Sequence, residues 1–538
     1  VITDECQHGV KLYRCADWKR VVFNNCNQEH KCFVSHYNKW FELPYQEKEV
    51  HIFRKCHHNE VIGLHNRYLK DSPSKLTFNL KLFNSIVDEL IDKLRPNFGG
   101  KMDLKEFMAE KKGKLRARYD AAVHKVTTQG FDITKDSDIK AFLKHEIYSD
   151  ATKAPRFIMG RNPIFNLIYG LYTTPLEHAM SALPQVAKGK NFRQRGDIFF
   201  DLVFGWKYIE NDFSKFESTQ TAELLKFLEM RVWRGLMNHV SGEEIYKLFF
   251  AKMSKCGYTQ LGAQFKIWGC RGSGDMDTGL FNTLLNWVAC RYFEIINGLG
   301  HGNFIVDGDD SVIQNKTNKS KFINTFAFFC LEAKLIPKDD YHDVDFCSSR
   351  FLQYKPGKFI QVQDIHKIMA NVPVLKTKAF EHCVGEYFYS LGYMYSKMYH
   401  KLPFFSSFAE FLMRQNLQAN KKHHYFKPEI IQTEKYGKMD MMDDAFECDY
   451  HIFYTELCMA FSVSPTKLES IISYLQTTKM SVPADHDKKF RKSGYNPHQH
   501  TEGDYDTVQK IMEMSMNQHS RANNYTPEHI MVGGYEFA

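Results

Sequence analysis

From Thr77 to Leu94 the apolar positions Leu80, Leu82, Phe83, Ile86, Val87, Leu90, Ile91 and Leu94 recur at helical spacing. Pro96, Gly99 and Gly100 end that run. Farther along, Phe157, Ile158 and Met159 form a short apolar core between Pro155 and Pro163, which predicts a strand. A second apolar strand, running on from Trp206, ends at Asp212. A helix is expected to start near Ser218 and Thr219, which can cap it, with Leu224, Leu225, Leu228, Val232 and Leu236 as its core face. Gly272 and Gly274 make a flexible loop around Ser273, and a long helix follows to about Ile296. Phe304-Ile-Val306 and Val312-Ile313 flank Asp307-Gly308-Asp309-Asp310, which predicts a hairpin with Gly308 relieving the bend. Ser320 to Phe329 reads as helix, Asp343 to Leu352 alternates toward a strand or hairpin, and residues 365–480 read mainly as helices. The last 55 residues are polar and read as a loosely ordered tail.

With 43% hydrophobic and 14% aromatic residues, the 538-residue chain can build a large core, which excludes a disordered protein. The net charge of +8 permits an anionic partner. Thirteen scattered Cys, an odd number, fit reduced thiols in a cytosolic setting. Cys6, His8, Cys15, Cys26, His30, Cys32, Cys56, His57 and His58 raise the question of a structural zinc; without a Cys-x2-Cys pair, free buried thiols are the preferred reading. No run approaches 18 apolar residues, and the start lacks signal-peptide order. A first residue of Val1 fits a processed product or a chain lacking upstream sequence, where a membrane anchor could lie.

The chemistry gathers around the Asp-Asp tip. Neighbouring carboxylates repel, so Asp309 and Asp310 at a rigid turn call for a cation, unless the turn is a solvated surface loop. Upstream, Lys111, Lys112, Lys114, Arg116 and Arg118 crowd eight positions, as a solvated helical face or a phosphate-contacting surface. Lys144 precedes a second basic stretch in which Arg156 and Arg161 bracket the strand, with Lys153 just outside; guanidiniums so held suit bidentate binding of triphosphate oxygens. Asp212 at a strand end can share metals with a carboxylate pair on a neighbouring strand, and Glu217 lies near the same pocket. Thr278 and Asn282 are four apart and share a helix face, suited to reading a sugar hydroxyl. The acidic stretch from Met439 to Asp449 reads as solvated surface.

Taken in order, the basic strand, Asp212-x4-Glu217, Ser273-Gly274 with Thr278 and Asn282, and Gly308-Asp309-Asp310 resemble the motif series of viral RNA-dependent RNA polymerases. The wording is most similar to the tombusvirus-like positive-strand group, through Arg156–Arg161 and Tyr172–Glu177, Cys270–Thr278 and Val344–Cys347, with matching elements over residues 107–352. The resemblance implies an α+β right hand of fingers, palm and thumb. An N-terminal extension over 1–75 would link fingers and thumb, and fingers would span 76–200. The palm would span 201–355, with a fingers insertion around 236–268 and an antiparallel sheet carrying the active site. A mainly helical thumb over 356–480 and a tail over 481–538 complete it.

Roles follow from the same resemblance. Asp212 and Asp309 would hold two Mg2+ ions with Asp310 close by, and Mn2+ would substitute. Lys153, Arg156 and Arg161 would line the nucleotide channel. Glu217, Ser273, Thr278 and Asn282 would read the ribose. Lys334, or Lys338, would be the general acid for pyrophosphate departure. Lys112, Lys114, Arg116, Lys144 and Gly274 would contact RNA, with Cys347 and Ser348 by the primer-grip turn. Implied partners are template and nascent RNA, ribonucleoside triphosphates and other viral replication proteins. The implied setting is the host cytoplasm, at membrane-associated complexes reached through missing sequence or partners. The family usually has Asp where this chain has Glu217, so sugar selection is the detail in question. A silent RNA-binding scaffold is disfavoured by the three intact carboxylates Asp212, Asp309 and Asp310, and a reverse transcriptase by Gly308 with Thr278 and Asn282.

Overall fold

The computed structural model describes residues 52–479 apart from 54, 70–74, 149–152, 238, 318, 375–383 and 415–445. Outside that span it describes residues 12–14, 20–22, 34–35, 41, 43, 505, 508–510 and 512. At the centre lies a four-stranded antiparallel sheet in the order Phe304–Asp307, Asp310–Gln314, Tyr208–Phe213, Ala333–Lys338. Phe304, Val306, Ile209 and Ile313 belong to the largest core cluster, with the helices Leu80–Leu94, Pro163–Ser181 and Thr278–Asn297. Ile305, Val312 and Tyr208 pack with Phe199, Phe346, Phe351 and Phe359 in a second cluster. Alternation along the strands thus buries both faces of the sheet.

A six-stranded sheet runs Leu12–Arg14, Arg20–Val22, Gln264–Trp268, Ser254–Thr259, Ile139–Leu143, Phe157–Arg161, with Ile139–Leu143 and Ser254–Thr259 its parallel pair. A third body is the hairpin Ser349–Lys355 and Lys358–Gln363 with, among the described residues, the helices Ile365–Asn371, Val384–Met398, Phe405–Arg414, Tyr450–Ala460 and Pro465–Thr477. Phe41 and Leu43 are buried in this third cluster. Segments from the first 43 residues therefore join both bodies. No helix of the described residues is long and apolar enough to cross a membrane.

Several sequence expectations shift, each for a local reason. The helix expected near Ser218 is interrupted: Lys215 is left-handed (φ 56°), Phe216–Thr219 is one turn, and Thr221 caps the next helix by accepting from Leu224 N at 3.1 Å. Ser320 to Phe329 is not a helix throughout. Only Thr325–Phe329 coils, as a 3-10 helix, because Asn297 grips Ile323 through both its N–H (2.8 Å) and its carbonyl (3.1 Å). The tail expectation is corrected where it can be: Tyr505, Val508 and Met512 are buried in the main core. Of the N-terminal Cys and His proposed for zinc, the thiol of Cys56 is the one described, buried and accepting from Asn59 N at 3.5 Å; the others lie outside the described side chains. The acidic stretch lies outside the description up to residue 445. Beyond that, exposed Glu447 pairs with Lys355 at 2.8 Å and Asp449 caps the following helix.

A buried imidazole joins the central region to the helical body. His342 is 6% exposed, with Nδ1 at 2.7 Å from Asp340 and Nε2 at 3.3 Å from Glu456. Glu456 also accepts from Tyr341 Oη at 2.6 Å and Gln353 N at 3.0 Å. Burial alone would lower the His342 pKa, but Glu456 and Asp340 together raise it. The stabilisation is full below the ordinary histidine value and is lost as pH rises through the raised folded value. The melting advantage of wild type over His342→Gln is therefore expected to shrink as pH rises through the range above the ordinary histidine value of about 6.5. An advantage that stays flat across that range would reject the ion-pair account.

Candidate active site

The Asp-Asp hairpin is held from behind by the long helix Thr278–Asn297. Gly308 sits at φ 65°, a conformation glycine adopts without strain. Its N–H donates to Thr283 Oγ1 at 2.9 Å, while Asn286 Nδ2 donates to the Gly308 carbonyl at 3.2 Å and the Asp310 carbonyl at 3.1 Å. Arg195 donates to Asp307 Oδ2 at 2.7 Å and to Gln361 Oε1 at 3.2 Å, which neutralises Asp307 and ties the turn to the Lys358–Gln363 strand. Thr283, Asn286 and Arg195 were not singled out from sequence. The i, i+4 spacing from Asn282 to Asn286 was the one available signal.

Asp212 is exposed one residue beyond the Asn211–Ser311 pair, so the register sets it beside Asp310. Lys334 pairs with Asp212 on the other side, whereas Lys338 pairs with Tyr208 at the opposite end of the strand. Burial with Glu217 alongside raises the Asp309 pKa, against Arg156. Burial with Asp309 alongside pushes Asp310 up to about 7, although its side chain keeps an open face. Cys347 hydrogen-bonds Asp310, and burial beside Asp310 and Asp307 pushes its thiol upward. Cys347 and Ser348 both adopt φ 55°, a tight left-handed turn facing the carboxylates. A cation relieves this crowding, and an all-oxygen donor set fits a hard divalent ion. Among the described residues, no three carboxylate, His or Cys groups converge as a formed metal cluster; Asp212 stands on one strand and Asp309 and Asp310 at the turn beside it.

Beside the carboxylates lies a small pocket lined by Arg67, Tyr68, Arg156, Phe157, Glu217, Ser218 and Ser273. Ser273 Oγ donates to Glu217 Oε1 at 3.5 Å, and its carbonyl accepts from Met159 N at 2.6 Å. Gly274 follows at φ 105°, exposed. Thr278 Oγ1 donates to the Gly272 carbonyl at 2.7 Å, so it closes the loop instead of projecting freely. Asn282 is 4% exposed and its Oδ1 accepts from Gln220 Nε2 at 2.8 Å.

One basic residue is corrected. Arg161 is 1% exposed; its guanidinium donates to Asp275 Oδ1 (2.9 Å), Ser137 O (2.6 Å) and Lys252 O (3.0 Å), so it braces the interior and does not line a channel. Strand alternation explains this, since Phe157, Met159 and Arg161 face inward together. Arg116 donates to Asp120 (2.9 Å), Met108 O (2.8 Å) and Tyr505 Oη (2.5 Å) while its side chain remains 35% exposed. Lys112, Lys114 and Lys153 are exposed, Lys144 pairs with Glu146 at 2.8 Å, and Arg156 lies 3.7 Å from Glu146.

Behind the Ser273 loop is a buried network that sequence reading did not find. Lys252 contacts Glu229 and Asp277; Arg271 donates to Glu229 Oε1 (2.6 Å), Asp277 Oδ2 (3.2 Å) and Gln220 Oε1 (3.3 Å). Tyr169 Oη adds 2.8 Å to Asp277 Oδ2. Burial would raise the Asp277 pKa, but Lys252 and Arg271 hold it well below the usual carboxylate range.

Comparison with known proteins adds to this geometry. A family described as viral RNA dependent RNA polymerase matches residues 44–482. The chain is 28% identical over 261 residues to an RNA-directed RNA polymerase of groundnut rosette virus (strain MC1), covering 44% of this chain and 30% of that protein. It is 24% identical over 295 residues to that of tobacco necrosis virus (strain D), covering 50% and 40%. For turnip crinkle virus the figures are 27% over 236 residues, 40% and 29%. The matched regions thus span less than half of each relative's own length.

Proposed function

The chain belongs to the viral RNA-dependent RNA polymerases, and from that premise we propose that it synthesises RNA on an RNA template, as part of viral genome replication and transcription. The observation that carries this is the set of Asp212 on one strand and Asp309 and Asp310 at the neighbouring hairpin turn, the latter two carboxyls raised by burial and then by like charge. In this reading the central sheet is the palm, the six-stranded sheet belongs to the fingers and the helical body is the thumb. The N-terminal segments would link fingers and thumb. Asp212 and Asp309 would hold two Mg2+ ions, with Asp310 alongside; bound there, the ions would supply activation of the 3′-hydroxyl and charge neutralisation at the phosphates. Arg156 and Lys153 would meet the triphosphate, and Lys334, beside Asp212, would protonate the departing pyrophosphate. Exposed Lys112 and Lys114 suit RNA phosphates. Other viral replication proteins and a membrane-associated cytoplasmic setting belong to the same reading and rest on the family alone.

The test is incubation of the chain with a short RNA template, four ribonucleotides and Mg2+ or Mn2+. Template-length product supports the reading, and its absence under both metals rejects it for this chain. Sugar selection is a separate matter. Glu217 receives the Ser273 hydroxyl at the pocket wall, so Glu217→Ala is expected to lower the preference for GTP over dGTP by about tenfold or more. Competition between the two nucleotides in one extension reaction measures it. An unchanged ratio would remove Glu217 from ribose reading.

A further inference from the structure

Residues 65–69 end a helical segment that begins at His57, and two close approaches hold that end against the nucleotide pocket. A Cβ on Gly63 would come within 2.9 Å of Phe157 Cδ2 and 3.2 Å of the Pro155 carbonyl, so glycine lets the segment lie directly on the strand beside Arg156. Farther along, the buried Tyr68 hydroxyl accepts from Ser273 N at 3.1 Å. Between these anchors, half-buried Arg67 lines the same pocket as Arg156, Glu217 and Ser273. Among the described residues no hydrogen bond or ion pair engages the Arg67 guanidinium.

The pocket lining holds two guanidiniums and one carboxylate; Glu146 lies 3.7 Å from Arg156 outside that lining, so Arg67 is the cation left to meet an anion. A guanidinium also presents a planar fork of donors matched to phosphate oxygens. Resting on the polymerase reading, we propose that Arg67 is a second guanidinium for the triphosphate of the incoming ribonucleotide, contributed by the N-terminal segment. Tyr68 is its positioning residue, docking that segment on the Ser273 loop. A nucleotide fits better than an RNA backbone phosphate because a triphosphate concentrates several negative charges where a phosphodiester carries one, and the pocket sets two guanidiniums side by side.

The experiment uses the full chain with Arg67→Ala, Arg67→Lys and Tyr68→Phe. Three quantities are measured: KM and kcat for GTP in extension, affinity for template RNA by anisotropy, and equilibrium binding of GTP without RNA. Arg67→Ala is expected to raise KM and weaken GTP binding about tenfold, with kcat and RNA affinity within about twofold of wild type. Arg67→Lys should recover part of the loss, and it carries the test if the Ala variant loses its melting transition. Tyr68→Phe should raise KM by a smaller factor. Unchanged KM and GTP binding in a folded Arg67 variant would overturn the proposal. So would a matching loss of RNA affinity, which would assign Arg67 to the RNA backbone. If wild type makes no product, the polymerase reading fails, while the GTP-binding measurement still decides for or against Arg67.

Discussion

Asp309→Asn is expected to leave a folded chain that binds RNA and makes no product, a loss of at least about a thousandfold in extension rate. The substitution keeps shape and volume. It removes one carboxylate from a group whose pKa is already raised by burial and by Glu217. The melting transition should therefore hold or rise slightly, because relief of like-charge repulsion offsets any lost hydrogen bond. An amide oxygen is a weak ligand for a hard divalent ion, so the loss falls on activity alone. Asp212→Asn should behave in the same way, since Asp212 stands beside Asp310 on the neighbouring strand. Extension, melting and RNA anisotropy measured on the same preparation separate the outcomes. Full activity in Asp309→Asn would disprove the metal assignment, and a collapsed melting transition would show that Asp309 holds the fold instead.

Local signals were legible in the sequence wherever chemistry and backbone conformation coincide. Gly308 at the bend, the apolar runs beside it and the Gly272–Gly274 loop all stand where their residue types required. Helix Leu80–Leu94 follows its apolar stripe and begins at the Asn79 cap. What the sequence could not show was which polar groups the interior uses. Arg161 looks like a channel cation from its neighbours, yet alternation along its strand turns it inward to Asp275 and two backbone carbonyls. Partners such as Arg195 with Asp307, 112 positions apart, or Arg67 with the pocket, arise from topology that spacing does not encode. Thr283 and Asn286 sit amid a helix that is buried all round, where polar residues pass for packing until the hairpin appears above them.

Arg271→Ala should be the most destabilising single change near the site, on the order of 3–5 kcal/mol, the usual cost of leaving a buried charge without its partner. Glu229 and Asp277 are both fully buried and share Arg271 and Lys252. Without Arg271 two carboxylates are left with one ammonium, and neither can reach water. Arg271→Lys should recover little, because one point charge cannot span Glu229, Asp277 and Gln220 as the planar fork does. With Asn282 as a reader of the ribose, the role the family resemblance implies, the effect is expected to extend to nucleotide selection. Gln220 takes the Arg271 Nε–H on its oxygen and donates through its nitrogen to Asn282 Oδ1, so Arg271 sets the orientation of the Asn282 amide. Asp277 immediately precedes Thr278, whose hydroxyl closes the Ser273 loop on Gly272. Denaturant unfolding with and without saturating GTP, alongside the GTP-to-dGTP preference, tests both halves. Wild-type stability in Arg271→Ala would show that the network contributes nothing net to the fold. A destabilised variant that retains full sugar preference would confine Arg271 to architecture and release Asn282 from its control.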